Sequence, residues 1–154
     1  MTSNLKLLVD VQKGSIPEMD LSFVASCMYK VGGEPKLRAA YELLTADHQP
    51  ISPDANLLRM NQADIRVDGR RGTEAEHFLI FNGIHISNPG KYSFKIMVWR
   101  GNNVNKIPNN TPDAFVFTRA FEVVERYGRE KFEPEVLTSD EVKVVDLLVE
   151  KFNL

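Results

Sequence analysis

The stretch from His77 to Trp99, HFLIFNGIHISNPGKYSFKIMVW, constrains the fold more than any other part of the chain. Tyr92, Phe94, Ile96 and Val98 alternate with Ser93, Lys95 and Met97, the period of two that sends every second side chain to one face of a strand. Phe78 to Phe81 and Ile84 to Ser87 share the bias toward aromatic and β-branched residues, and Asn88-Pro89-Gly90 between the halves supplies turn residues. This pattern predicts an antiparallel hairpin turning at Asn88 to Gly90. Asn82-Gly83 is itself a favoured hairpin turn, but it would leave very short arms, so it reads as a bend or bulge.

Other strands follow from the same reasoning. Leu5, Leu7, Val9 and Val11 alternate with Lys6, Leu8, Asp10 and Gln12, which predicts a first strand with one wet face. Leu21 to Val31 has Leu21, Phe23, Ala25, Cys27 and Tyr29 on one side and Val24, Ser26 and Met28 on the other, consistent with burial of both faces. Leu37 to Leu44 keeps the period of two through Leu37, Ala39, Tyr41 and Leu43. It reads as a strand despite several good helix formers. Asp47 to Asn56 is a loop, and Leu57 to Met60 and Ile65 to Val67 are short strand candidates. Gly101 to Asp113 is a loop rich in asparagine and proline. Ala114 to Glu125 returns to strand, with an interruption at Thr118 to Ala120 that a bulge would repair.

The end of the chain changes character. Thr138-Ser139-Asp140-Glu141 matches a capping box, and Val142, Val145, Leu148, Val149 and Phe152 then recur at helical spacing. A helix this short needs its apolar stripe packed on the sheets. Seven or eight short strands and one late helix, without βαβ alternation or a glycine-rich phosphate loop, predict a mainly β antiparallel sandwich with one C-terminal helix. At 154 residues the chain, 1–154, fits a single domain.

Charge and cysteine content narrow the function classes. A net charge of -2 and a pI near 5.9 give no overall pull toward nucleic acid or anionic lipid. One cysteine, Cys27, cannot form an internal disulfide, and the start MTSNLKLLVD lacks the basic opening and apolar run of a secretory signal, so an intracellular protein is expected. No apolar stretch reaches the roughly 20 residues of a membrane span. The sequon Asn109-Asn110-Thr111 is expected to be fortuitous.

Residues that could carry chemistry do not converge in the sequence. His48, His77 and His85 stand at no metal-ligand spacing, and Cys27 lies on an apolar face, so it reads as an inert buried thiol. Asp47, Asp54, Asp64 and Asp68 lack the Asp-x-Asp spacing of a calcium loop. No serine has the flanking residues of a nucleophile elbow. The expectation is a non-enzyme with no catalytic residue, cofactor or metal. The one local basic feature is Arg66, Arg70 and Arg71, interleaved with Asp64 and Asp68. Arginine forks on an exposed loop can hold phosphate oxygens, and Lys13 could join them if both loops lay at one end of the sandwich.

Two portions carry a family likeness. In His77 to Val98 the positions Phe78, Ile80 or Phe81, Ile84, Ile86, Gly90, Lys91, Tyr92 and Phe94 resemble the velvet domain of fungal regulators, where an apolar strand runs through a turn ending in Gly, a basic residue and Tyr into an alternating strand. Ala120-Phe121-Glu122-Val123, followed by Phe132, Leu137, Thr138 and an amphipathic helix, is similar to the closing segment of that family. Between Val11 and Leu21 the family carries arginines and a Cys-Gly pair, where this chain has Lys13 alone. The resemblance implies an immunoglobulin-like sandwich, related in shape to Rel-type DNA-binding domains. It further implies a transcriptional and developmental regulator of nucleus and cytoplasm. Such a protein would form a homodimer or a heterodimer with another velvet-like protein. The family's DNA contacts lie largely between Val11 and Leu21, so Lys13, Arg66, Arg70 and Arg71 are expected as DNA contacts from their own chemistry and not from the likeness. The competing expectation is a β-sandwich module for protein–protein interaction with no nucleic-acid role. A calcium- or lipid-dependent sandwich stands third.

Overall fold

The computed structural model describes residues 5–15, 20–30, 37–51, 64–67, 74–101, 104, 111–125 and 137–152. Nine strands and one helix lie within them: β1 (Lys6–Val9), β2 (Gly14–Ser15), β3 (Leu21–Lys30), β4 (Arg38–Thr45), β5 (Asp64–Val67), β6 (Glu74–Ile84), β7 (Gly90–Trp99), β8 (Ala114–Phe117), β9 (Phe121–Val123) and α1 (Ser139–Phe152). One sheet has four strands in the order β1-β3-β6-β5, and the other has five, in the order β2-β9-β7-β4 with β8 also on β7. The fold is therefore a β-sandwich with one C-terminal helix. All pairings are antiparallel except the short one between β2 and β9.

The segment His77 to Trp99 is not a hairpin. β6 lies in the four-stranded sheet and β7 in the five-stranded one, so the expected turn at Asn88 to Gly90 carries the chain from one layer to the other. The cause is in the apolar faces. Leu79, Phe81, Ile84 and Ile86 on one side of this crossover and Phe94, Ile96 and Val98 on the other belong to one buried cluster, which they meet from facing sheets. Tyr92 fixes the corner: its hydroxyl donates to the Asn88 carbonyl at 2.8 Å. Gly90 makes room for that ring, since a Cβ there would sit 3.1 Å from the Tyr92 Oη.

Aromatic rings fill the centre of the sandwich. Phe23 of β3 stacks on Phe81 of β6 at 4.9 Å between centroids and meets Phe94 of β7 at 5.0 Å across the layers. Tyr41 of β4 stands edge-on to Phe23, Phe81 and Phe94, and Phe121 of β9 stacks on Phe94 at 5.1 Å. Phe23 and Phe94 are fully buried.

Three bulges decide which residues reach this core. In β6, Leu21 pairs with Ile84 but Phe23 with Phe81, so β6 carries one extra residue at the expected Asn82-Gly83 position, where Gly83 takes φ 68°. The inward series consequently shifts from Leu79 and Phe81 to Ile84 and Ile86. In β1, Leu7 pairs with Ala25 and Val9 with Val24. Leu5, Leu7 and Val11 face the core between the sheets, while Leu8 and Val9 face outward. The third bulge, at Thr118 to Ala120, lets β8 and β9 line the same edge of β7, with Phe117 opposite Lys95 and Phe121 opposite Tyr92. There the Thr118 hydroxyl accepts from the Phe94 N–H at 2.9 Å in place of a backbone carbonyl.

The first strand does not have the wet face its alternation predicts. Leu8 and Val9, with Val24, Phe78 and Ile80, are covered by Val144, Val145, Leu147 and Leu148 of α1. The helix begins with the expected capping box: the Thr138 N–H donates to Glu141 Oε1 at 3.0 Å, and the Glu141 N–H donates to Thr138 Oγ1 at 3.2 Å. Its docked stripe is part of the expected one: Val145 and Leu148 pack on the sheet, while Val142 and Val149 remain 41% and 47% exposed. The stripe is set by Glu141, whose Oε2 accepts the Asp10 N–H at 3.1 Å and so fixes the rotation of the first turn over β1.

Leu57 to Met60 and most of Gly101 to Asp113 lie outside the described residues. Truncating Phe94 to Ala removes a ring packed on Phe23, Tyr41 and Phe121, and the expected loss is about 3 to 5 kcal/mol of folding stability. Urea unfolding monitored by circular dichroism measures it as a lower midpoint at unchanged slope.

Candidate interaction surfaces

The two outer faces of the sandwich differ. α1 closes the outside of the four-stranded sheet, whereas among the described residues no helix lies on the five-stranded sheet. On that second face Ala40, Met97 and Trp99 form a small buried cluster with Val104 against it. Ser93, also buried, donates its hydroxyl to the Thr45 carbonyl at 2.8 Å, which holds the turn after β4 across the sheet. His48 occupies that turn with φ 64°, and its ring lies flat on Phe117 at 3.9 Å and 3°. Phe117 meets Phe115 at 5.5 Å and 71°. Phe115 is 51% exposed, the most open large apolar side chain among the described residues. The Lys95 ammonium sits 4.5 Å from its ring centroid, a cation–π contact.

This aromatic ridge borders a free strand edge. β8 pairs with β7 on one side, and among the described residues no strand pairs with the other. Because the Thr118 N–H donates to the Phe94 carbonyl, the alternation of an antiparallel ladder turns Val116 and Ala114 toward β7. The N–H and C=O groups of Phe115 and Phe117 then point to the open side. Such an edge can template pairing with another chain.

Of the expected DNA-contacting residues, Lys13 and Arg66 lie among the described ones. β6 runs from Glu74, opposite Lys30, to Ile84, opposite Leu21. Arg66 pairs with Phe78 and Val67 with His77. Lys13 lies beyond β1, where its carbonyl accepts the Glu122 N–H at 2.8 Å beside Gly90 and Lys91. Lys13 thus lies near the Ile84 end of β6, and the backbone of Arg66 lies opposite its middle. Arg70 and Arg71 lie outside the described residues.

Titratable side chains act in the framework. His77 is buried, donates from Nδ1 to the Ala75 carbonyl at 2.9 Å and meets the Tyr29 ring edge-on at 5.8 Å. His85 pairs with Asp20 at the surface. Burial pushes the Cys27 thiol up to about 11, only partly opposed by the Arg100 charge, so the thiolate that would act as nucleophile is suppressed. Among the described residues no three His, Cys, Asp or Glu side chains stand close enough to hold a metal. No protein-family model matches the chain, and no curated protein does either.

Sequence reasoning missed one polar cluster. Asp10, where the chain leaves β1 for β2, accepts the N–H of Val11 at 2.7 Å and of Arg119 at 3.2 Å, while Arg119 Nε donates to the Val11 carbonyl at 2.7 Å. Burial outweighs these bonds and raises the Asp10 carboxyl above its ordinary value. Burial also acts to raise Glu141, but the donors Thr138 N–H, Asp10 N–H and the Thr138 hydroxyl together hold it below its ordinary value. A carboxylate lowered in the folded state stabilises above its unfolded value, and that contribution is lost as pH falls through the folded one. Glu141→Gln is accordingly expected to lower Tm near neutral pH, with the gap to the parent closing in acid; calorimetry across that range checks the sign.

The Cys27 environment gives a second expectation. A thiol reagent at mildly alkaline pH should leave the native protein unmodified and label it once urea unfolds it, which mass spectrometry reads directly.

Proposed function

We propose that this chain is a non-enzymatic, immunoglobulin-like module for protein–protein interaction whose contact surface is the aromatic ridge of Phe115 and Phe117. The immunoglobulin-like assignment rests on strand order. Labelled along the chain, β1, β3, β6 and β5 correspond to A, B, E and D, and β4, β7 and β8 with β9 correspond to C, F and G. Tyr92 near the start of β7, bonded to the Asn88 carbonyl, has the form of a tyrosine corner. Two residues on, where antibody domains place the second cysteine of their inter-sheet disulfide, stands Phe94. Its contact with Phe23 takes the place of the bridge, and Tyr41 on β4 takes the place of the tryptophan that packs on it.

The single observation that carries the interaction reading is the half-exposed Phe115 ring beside a strand edge with no pairing strand among the described residues. Large aromatics at a surface desolvate well and anchor interfaces. The tagged full chain as bait is expected to retain a protein partner after nuclease treatment and to lose it in Phe115→Asp, with Arg66→Ala behaving as the parent. Retention by Phe115→Asp, or loss on nuclease treatment, would count against the reading.

A velvet-like regulator, nuclear and cytoplasmic and able to bind DNA, is the second reading. The immunoglobulin-like strand order favours it, because that is the architecture the motif likeness implies. Duplex binding whose affinity falls steeply with salt, and weakens when Arg66, Arg70 or Arg71 is replaced by alanine, would select it.

A further inference from the structure

We infer that β8 pairs with the β8 of a second copy of this chain, antiparallel about a twofold axis at Val116, so that the two five-stranded sheets continue into one. The inference rests on the interaction reading above and names its partner and register.

The backbone sets the first condition. The groups that point away from β7 belong to Phe115 and Phe117, and an antiparallel twofold at Val116 sets Phe115 of one copy opposite Phe117 of the other, on both sides of the axis. All the outward N–H and C=O groups of the two residues are then paired. The side chains set the second condition. Phe115 and Phe117 occupy the same face of β8, so each Phe115 ring, half open in the single chain, gains a cross-strand aromatic neighbour.

Charge sets the third. β8 itself, AFVF, carries none of the lysines, prolines or inward charges by which edge strands are blunted. Phe115 and Phe117 are placed symmetrically about Val116, and pairing shifted by two residues would leave a phenylalanine of each copy without an aromatic partner. The self-complementarity of the sequence around Val116 therefore selects a second copy over an unrelated strand.

The purified full chain, followed by sedimentation velocity over a wide concentration range, is expected to show a monomer–dimer equilibrium. Phe115→Lys should move it to monomer at every concentration with Tm unchanged. Val116→Cys tests the register independently of that variant. Directly opposed residues of a non-hydrogen-bonded pair have Cα atoms about 4.5 Å apart, within disulfide reach, so mild oxidation should yield a covalent dimer. Thr111→Cys, exposed but outside the ribbon, should not. A chain monomeric throughout overturns the inference, while the interaction reading stands if the bait still retains a foreign partner. A dimer indifferent to Phe115→Lys, or a dimer in which Val116→Cys does not cross-link, overturns it as well.

Discussion

The contact of Phe23 with Phe94 across the layers is what the sandwich is built on. A disulfide between sheets limits the unfolded chain as much as it binds the folded one. A phenylalanine pair has no such effect, and its contribution comes from area removed from water and from ring geometry. One pair would be a weak substitute for a covalent bridge. Here Tyr41, Phe81 and Phe121 surround it, drawing β3, β4, β6, β7 and β9 onto one cluster. Both central strands, β3 and β6 on one side and β7 on the other, are thereby fixed in position relative to each other. The crossover between β6 and β7, held by the Tyr92 hydroxyl, then has only one path to follow.

Bulges give this framework its two-sidedness. An ideal strand presents the same parity to the core along its whole length. β1 and β6 change parity part-way, so the N-terminal strand can feed the core with Leu5, Leu7 and Val11 and still give Leu8 and Val9 to the helix. The bulge after β8 does the converse. It lets Phe121 and Val123 turn inward although Phe115 and Phe117, of the same parity, turn outward. Arg119 at this bulge and Asp10 at the β1 to β2 crossing bind each other's backbone neighbourhood, and Glu141 adds the helix start. Three irregular points are thus joined in one polar knot, where they would otherwise leave backbone groups unsatisfied.

Much of this was legible in the sequence, and what was not has physical reasons. Alternation located β3, β4, β5 and β7, and the Thr138 to Glu141 box located the start of α1, because period and capping are local properties. The Asn82-Gly83 bulge was legible too, since glycine at positive φ is a local requirement. Partner choice was not. Period two states that one face of β6 and of β7 is buried, and a hairpin and a pair of facing strands satisfy that equally. The helix stripe was partly misread because Val142 and Val149 sit on the margin of a broad apolar arc, and the Asp10 bond, which no periodicity encodes, rotates them outward. The candidate surface was the least legible. Ala114, Phe115, Val116 and Phe117 are apolar on both parities, so nothing in the pattern marks Phe115 as exposed. The basic residues were visible individually, but where Lys13 and Arg66 stand in the sheets is a property of topology alone.

The asymmetry of the two outer faces follows from these constraints. A helix can cover a sheet only where outward apolar residues form a continuous patch, and Val9, Val24, Phe78 and Ile80 do so across three adjacent strands. On the other sheet Glu42, Lys95 and Ser93 interrupt the outward rows, and among the described residues Val104 packs against the buried Ala40, Met97 and Trp99. β8 lies at the border of that patch, where the cover ends. Among the described residues its phenylalanines pack less than the core rings: Phe117 lies on His48, and Phe115 meets Phe117 and the Lys95 ammonium. A smaller or polar residue at 115 would leave the fold's centre untouched. The ring at that position thus belongs to the surface of the sandwich and not to its interior.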